Sequence, residues 1–149
     1  KKILKIIKSA RIGHLATASS NLQPYLTPVV FIVLRNRIFI PLDDKPKTID
    51  VKELRRVKNI EENPKVSFLV DHYDEDWTNL WFVMIIGNAT LVQLNGKTKR
   101  KMKEMTKIHN KFLKKYSQYT KVGTGNIYIK LVLDKTNYWK CNQIRKNTL

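Results

Sequence analysis

The chain has 149 residues, 42% of them hydrophobic, with 29 Lys and Arg against 12 Asp and Glu, a formal net charge of +17. That length suits a single domain with one substantial core, and the longest apolar runs, residues 29–34 and 80–86, fall far short of the ~20 residues of a membrane span. A lone cysteine, Cys141, excludes an internal disulfide and points to a reducing, cytoplasmic compartment.

In chain order, residues 1–7 carry Ile3, Leu4, Ile6 and Ile7 at the spacing of a short amphipathic helix. They lack the long apolar stretch and small-residue cleavage site of a secretory leader, so none is expected. Residues 11–18 read as a strand, 19–23 as a turn of short polar side chains, and 24–34 as a second strand. A hairpin turn at 35–37 leads into a third strand at 38–41. A loop over 42–47 precedes a helix from about Asp50, where Asp50 and Glu53 resemble a capping box and Leu54, Val57 and Ile60 keep helical spacing. Asn63-Pro64 ends that helix, because the residue before proline is pushed out of the α region.

Residues 65–70 are predicted as a fourth strand and 80–92 as a long fifth one, with a bulge at Gly87. A second helix is expected over 97–119, its apolar stripe formed by Met102, Met105, Ile108, Phe112, Tyr116 and Tyr119. Between residues 97 and 121 there are ten Lys or Arg and one acid, Glu104. The break at 123–125 leads to a sixth strand over 127–133, then a short strand over 136–140 and a tail from 141 to 149. Antiparallel strands with one mid-chain and one late helix indicate a small barrel, mainly β or α+β, in a single domain over 1–149.

Most site chemistries find no support. His14, His72 and His109 share no metal-ligand spacing with one another or with Cys141, so no metal site is expected. No glycine-rich phosphate loop opens a helix and no serine sits in a nucleophile elbow. The segment 71–81 holds four carboxylates (Asp71, Asp74, Glu75, Asp76) and two tryptophans, Trp77 and Trp81. It reads either as a solvated turn or as a ligand loop. Lys45 and Lys47 flank Pro46 just before a helix, a pattern that suits a phosphate, with Arg55 or Arg56 able to add a guanidinium fork. The surplus of lysine fits a solvated surface, a nucleic acid, an anionic membrane or a polyanionic small molecule, and charge alone does not choose.

Together these pieces resemble the pyridoxamine 5′-phosphate oxidase-like, flavin-binding split barrels. The resemblance rests on Ala10-Arg11-Ile12-Gly13-His14-Leu15-Ala16-Thr17, on Pro24-Tyr25-Leu26-Thr27-Pro28-Val29, and on the run from Phe39 to Lys47. It continues through Asn59-Ile60-Glu61-Glu62-Asn63-Pro64 and covers about residues 9–93. The block Asp71-His72-Tyr73-Asp74, with Trp77 and Trp81, is similar to the branch that uses the deazaflavin coenzyme F-420.

The resemblance implies a homodimeric, six-stranded antiparallel split β-barrel with flanking helices and a cofactor site at the dimer interface. Thr27, Pro28 and Val29 would line the ring with Ile40 and Pro41. Lys45 and Lys47 would hold the phosphate, helped by Arg56, and Trp77 and Trp81 would wall the pocket, with Trp139 a further aromatic. The implied activity is an oxidoreductase passing a hydride from reduced coenzyme F-420 to a small conjugated organic substrate, with His72 or Tyr73 as the acid where one is needed. FMN is the alternative cofactor, in an oxidase, a reductase or a carrier.

The tail Trp139-Lys140-Cys141-Asn142-Gln143-Ile144-Arg145-Lys146 departs from the Arg-x-His element of the vitamin B6 oxidases, and Pro46 stands where many flavin-binding relatives carry Arg. Coenzyme F-420 carries a phosphodiester and a chain of glutamates, a polyanion that a strongly basic surface attracts through its field. A reading of another class is a basic nucleic-acid-binding module whose helix over 97–121 tracks the backbone.

Overall fold

A computed structural model of the protein describes residues 2–42 and 50–141. In chain order the elements are α1 (Lys2–Lys8), β1 (Gly13–Ala18), β2 (Pro24–Val29), β3 (Ile32–Leu34) and β4 (Arg37–Pro41). After a 3-10 turn (Val51–Glu53) come α2 (Arg55–Glu62), β5 (Lys65–His72), a second 3-10 turn (Trp77–Asn79), β6 (Trp81–Gln93), α3 (Lys99–Lys115), α4 (Tyr119–Val122) and β7 (Ile127–Lys140). The strands form one antiparallel seven-stranded sheet in the order β2-β1-β5-β6-β7-β4-β3, the split-barrel arrangement expected from the sequence.

Strand alternation sorts the side chains. Leu15 on β1, Val66, Phe68 and Val70 on β5, and Val83 and Ile85 on β6 point inward and meet Ile7 of α1 with Val57 and Ile60 of α2. A second core lies under α3, which contributes Ile108 and Phe112, one turn apart on one face, with Tyr116 just past its end, against Ile32, Phe39 and Tyr128. Phe112 stacks on Tyr128 at 5.7 Å and meets Tyr119 edge-on at 5.7 Å. Gly13 is required by a close approach: a Cβ there would lie 2.2 Å from the ring of Phe68.

Among the described residues the strand count differs from expectation: seven, not six. The run 24–34 is not one strand. It pairs with β1 up to Val29, then crosses at Val30 and Phe31 to pair with β4 from Ile32. The backbone freed at Phe31 is taken up by side chains at the C-terminal end of α3: the Tyr116 hydroxyl and the Lys115 ammonium. The two expected final strands are instead one, β7, of 14 residues. The bulge predicted at Gly87 is present. The register slips between Ile86 and Gly87, which face Lys135 and Leu133, leaving Asp134 as the extra residue.

Two helix boundaries also shift. Asp50 caps by accepting from the Lys52 N–H at 3.1 Å, and an extended Leu54 (φ −61°, ψ 132°) separates the 3-10 turn from α2. The late helix starts at Lys99 with Thr98 as its N-cap and stops at Lys115, because Tyr116 turns extended (φ −130°) to reach Phe31. Met102, assigned to the buried stripe by periodicity, is 50% exposed: it lies in the first turn of α3, whose buried residues, Ile108 and Phe112, come later in the helix.

Candidate functional site

Strand β2 is an edge. Its inner face carries Tyr25, Thr27 and Val29 opposite Thr17, Leu15 and Gly13; its outer face carries Leu26 and Pro28 opposite Ala16 and His14. Pro28 costs nothing in such a place, because a residue without an N–H is tolerated on an edge strand. Helix α2 packs on β1, β2 and β6 and brings Asn59 to the Thr17 hydroxyl, to which its Nδ2 donates at 3.0 Å.

On this flank Thr27 Oγ1 and Asn59 Oδ1 are buried without a hydrogen-bond partner among the described residues. An unsatisfied buried polar atom costs about 1–3 kcal/mol. Two of them on facing elements suit a ligand with a polar edge, such as the pyrimidine side of a flavin or deazaflavin ring. Arg56 is half-buried on α2, one turn before Asn59. Val29 and Ile40 have their side chains in the core, 6% and 1% exposed, and Pro41 is buried, so from these three a ligand would meet backbone rather than side chain. Lys45 and Lys47 lie outside the described residues.

The outer face of β1 leads to a cleft of about 450 Å³ lined by Arg11, Ile12, His14, Asp71, His72 and Trp81. His72 and Trp81 face one another across the β5–β6 ladder and stack, with centroids 6.0 Å apart and planes 20° apart. His72 Nε2 is 3.8 Å from Asp74 Oδ2. His14 pairs with Pro28 on one side and Leu69 on the other, so the cleft adjoins the exposed edge of β2. Of the site residues named from the sequence, His72 and Trp81 line this cleft; Arg11 and His14, which line it with them, were not among those named. Alternation along residues 11–16, which turns His14 to the face opposite Leu15, was the signal that could have found His14.

The acidic segment has a structural job. Asp74 accepts the Asp76 N–H at 2.8 Å, and Asp76 accepts both the N–H and the hydroxyl of Thr78. Those bonds from Thr78 hold the Asp76 carboxyl below its usual range. Tyr73 is exposed, its hydroxyl 3.4 Å from Glu75, and Trp77 is 54% exposed. Neither Trp77 nor Tyr73 lines the cleft that holds His72 and Trp81.

The outer face of the sheet is unusually apolar. Leu26, Phe82, Ile86 and Trp139 are all exposed there, and Phe82 stacks on Trp139 at 5.8 Å. Among the described residues no three His, Cys, Asp or Glu side chains converge as a metal site, and no helix is long and apolar enough to cross a membrane.

Comparison with known proteins agrees with this architecture. The family model described as pyridoxamine 5′-phosphate oxidase matches residues 1–135. A conserved hypothetical protein of Mycobacterium tuberculosis has a similar structure, with TM-score 0.71 at 19% identity over 99% of this chain and 92% of that one. A FAD-binding protein of Mesorhizobium loti gives TM-score 0.65 at 15% identity, covering 92% and 91%. The haem storage protein HutZ of Vibrio cholerae gives 0.65 at 13% identity, covering 94% and 93%. No curated protein sequence matches the chain.

Proposed function

The chain belongs to the pyridoxamine 5′-phosphate oxidase family, and from that membership we propose that it binds coenzyme F-420 at a site completed by a second copy of itself and acts as an oxidoreductase on a small conjugated organic substrate. The observation that carries a cofactor of this shape is the buried, unpartnered Thr27 hydroxyl on an edge strand, beside the exposed flat face of Pro28. The preference for the deazaflavin draws on the Asp71-His72-Tyr73-Asp74 block, on Pro46, and on a net charge of +17 that favours a cofactor with a polyanionic tail. The rival, a flavin in the same place, draws on the fold shared with the FAD-binding protein of M. loti.

The bound cofactor supplies the hydride. The chain supplies the rest. Thr27 and Asn59 offer a hydroxyl and a carbonyl to the polar edge of the ring and so fix its orientation. Lys45 and Lys47, with Arg56, carry the charges that a phosphoryl group needs. Trp81 closes the cleft against water, and His72, stacked on it, is the side chain that would hold and hand over a proton where the substrate needs one. The apolar outer face with Leu26, Phe82, Ile86 and Trp139 suits burial against its own copy, because large exposed apolar patches mark interaction sites.

The test is the ultraviolet-visible spectrum of protein purified from a host that makes both cofactors, with mass spectrometry of what is released. A deazaflavin band with released coenzyme F-420 supports the reading. A flavin band replaces it with the rival, and failure of either cofactor to bind on titration removes both.

A further inference from the structure

A strongly basic groove lies on the edge of the sheet opposite β2. The β3–β4 hairpin and the N-terminal half of α3 enclose a groove of about 400 Å³, with Leu34 and Phe39 as its floor. Its walls carry Arg35, Arg37, Lys99, Arg100, Lys103 and Lys107, against one acid, Glu104. A smaller cavity of about 240 Å³ adjoins it through Phe39 and Glu104 and adds Lys101 and Lys130. Among the described residues none of these eight cations is in an ion pair; the pairs present are Lys58–Glu53 and His72–Asp74.

Two local choices here run against the backbone's own preferences. Arg35 sits at φ 57°, a left-handed position in the hairpin turn that Gly or Asn occupies at lower cost. The first turn of α3 holds Lys99, Arg100 and Lys101 and no acid, although the helix dipole favours negative charge at that end. Both departures place positive charge at the mouth of one groove. Like-charged groups crowded this way repel one another until an anion joins them.

We infer that this groove binds the phosphodiester backbone of nucleic acid, independently of the cofactor flank. Lys99, Lys103 and Lys107 recur once per turn along one face of α3, so the row spans ~12 Å of helix. At one charge per ~3.4 Å of axis for each strand, that length meets three to four phosphates. A row of that kind tracks a chain of anions and is wasted on a single one. No exposed aromatic side chain lines the groove, so it offers bases no stacking surface and reads no sequence.

The test is fluorescence anisotropy of the full chain with labelled mixed-sequence strands of ~20 nucleotides, single and duplex, between about 50 and 200 mM salt. The groove variant is Arg35→Asn with Arg37→Gln and Lys103→Gln; the control removes the same charge from α1 through Lys2→Gln, Lys5→Gln and Lys8→Gln. The groove variant should lose about tenfold or more in affinity and flatten the salt slope by about two units, while the control changes less than about twofold. Arg35→Asn alone suits the left-handed turn, so it should fold at least as well as the parent and still weaken binding. Equal losses in groove and control variants would overturn the inference, as would no binding at about 50 mM salt. Competition by polyglutamate as effective, charge for charge, as the oligonucleotide would also overturn it, by showing that phosphate is not the group recognised.

Discussion

The Tyr116 hydroxyl sits on the backbone of Phe31, 3.1 Å from its nitrogen and 3.0 Å from its oxygen, where the chain leaves β2 for β3. It accepts from the Phe31 N–H, and its single proton is shared between the carbonyls of Phe31 and Arg11, the latter at 2.9 Å. Lys115 donates to the same Phe31 carbonyl at 3.0 Å and lies over the Phe31 ring at 3.9 Å. Arg11 in turn donates to the Lys115 carbonyl and stacks on Tyr116 at 4.7 Å. The end of α3 thus satisfies the polar groups that splitting the strand exposes.

Tyr116→Phe should destabilise the fold by about 1–3 kcal/mol. The Phe31 carbonyl keeps Lys115, but the buried N–H is left bare. Urea unfolding that shows a change within error of zero would mean the crossing holds without this bond.

Gly87→Ala should cost more than Gly13→Ala. A Cβ at Gly87 would lie 2.1 Å from the Val132 carbonyl, which is backbone in the neighbouring strand; at Gly13 it meets the tip of the Phe68 ring, which can shift. Overpacking typically costs about 1–3 kcal/mol, with Gly87→Ala expected at the upper end and Gly13→Ala lower. Paired melting curves give the order.

Stability should rise between pH 8 and pH 10. Burial pushes the Lys115 ammonium down to about 8 from 10.5, with the Arg11 charge adding to the effect. The carbonyl and ring contacts favour the charged form, but desolvation outweighs them. Above pH 8 the folded state binds fewer protons at this site than the unfolded state, so the penalty of burying the charge, complete at lower pH, is relieved as pH rises toward 10.5. Burial raises the Tyr116 phenol above 10.0, so it opposes the gain beyond that pH. Solvent screening of the half-buried Lys115 keeps the effect below about 1 kcal/mol. Melting temperatures across this range should rise in the parent and stay flatter in Lys115→Met.

Thr27→Val should stabilise the cofactor-free protein by up to about 1 kcal/mol while weakening cofactor binding about tenfold. It removes a buried hydroxyl that lacks a partner until a ligand supplies one. Thermal melts with and without cofactor separate the two effects, and a variant that is less stable without cofactor would show the hydroxyl is already satisfied.

Trp139→Glu should leave the fold intact and shift the protein toward monomer. Trp139 is 46% exposed and stacked on Phe82, so charge placed there is hydrated in one copy and buried between two. Sedimentation at several concentrations would reveal the shift; a parent that is itself monomeric would remove the homodimer.

Local chemistry left clear marks in the sequence. The alternation of Val66, Phe68 and Val70, the glycine at 87 and the Asn63-Pro64 stop each act over a few residues, and each element appears where its pattern lies. The misses involve partners far along the chain. Residues 24–34 read as one strand because an apolar run passes through Phe31 without a break, and the crossing is marked by Lys115 and Tyr116, more than 80 residues along the chain. Met102 has the right helical phase for burial but lies more than a turn before the buried part of α3 at Ile108 and Phe112.

For the site, residue type pointed to anions and aromatics, because charge and ring carry those meanings wherever they fall. Sequence therefore determined the family, the antiparallel class and the basic character of α3. Tertiary structure alone decided that Val29 and Ile40 are core, that Arg11 and His14 share a cleft with His72 and Trp81, and that Thr27 keeps an unanswered hydroxyl. Burial and hydrogen-bond satisfaction depend on what the folded chain brings alongside a residue, and a one-dimensional pattern records only what precedes and follows it.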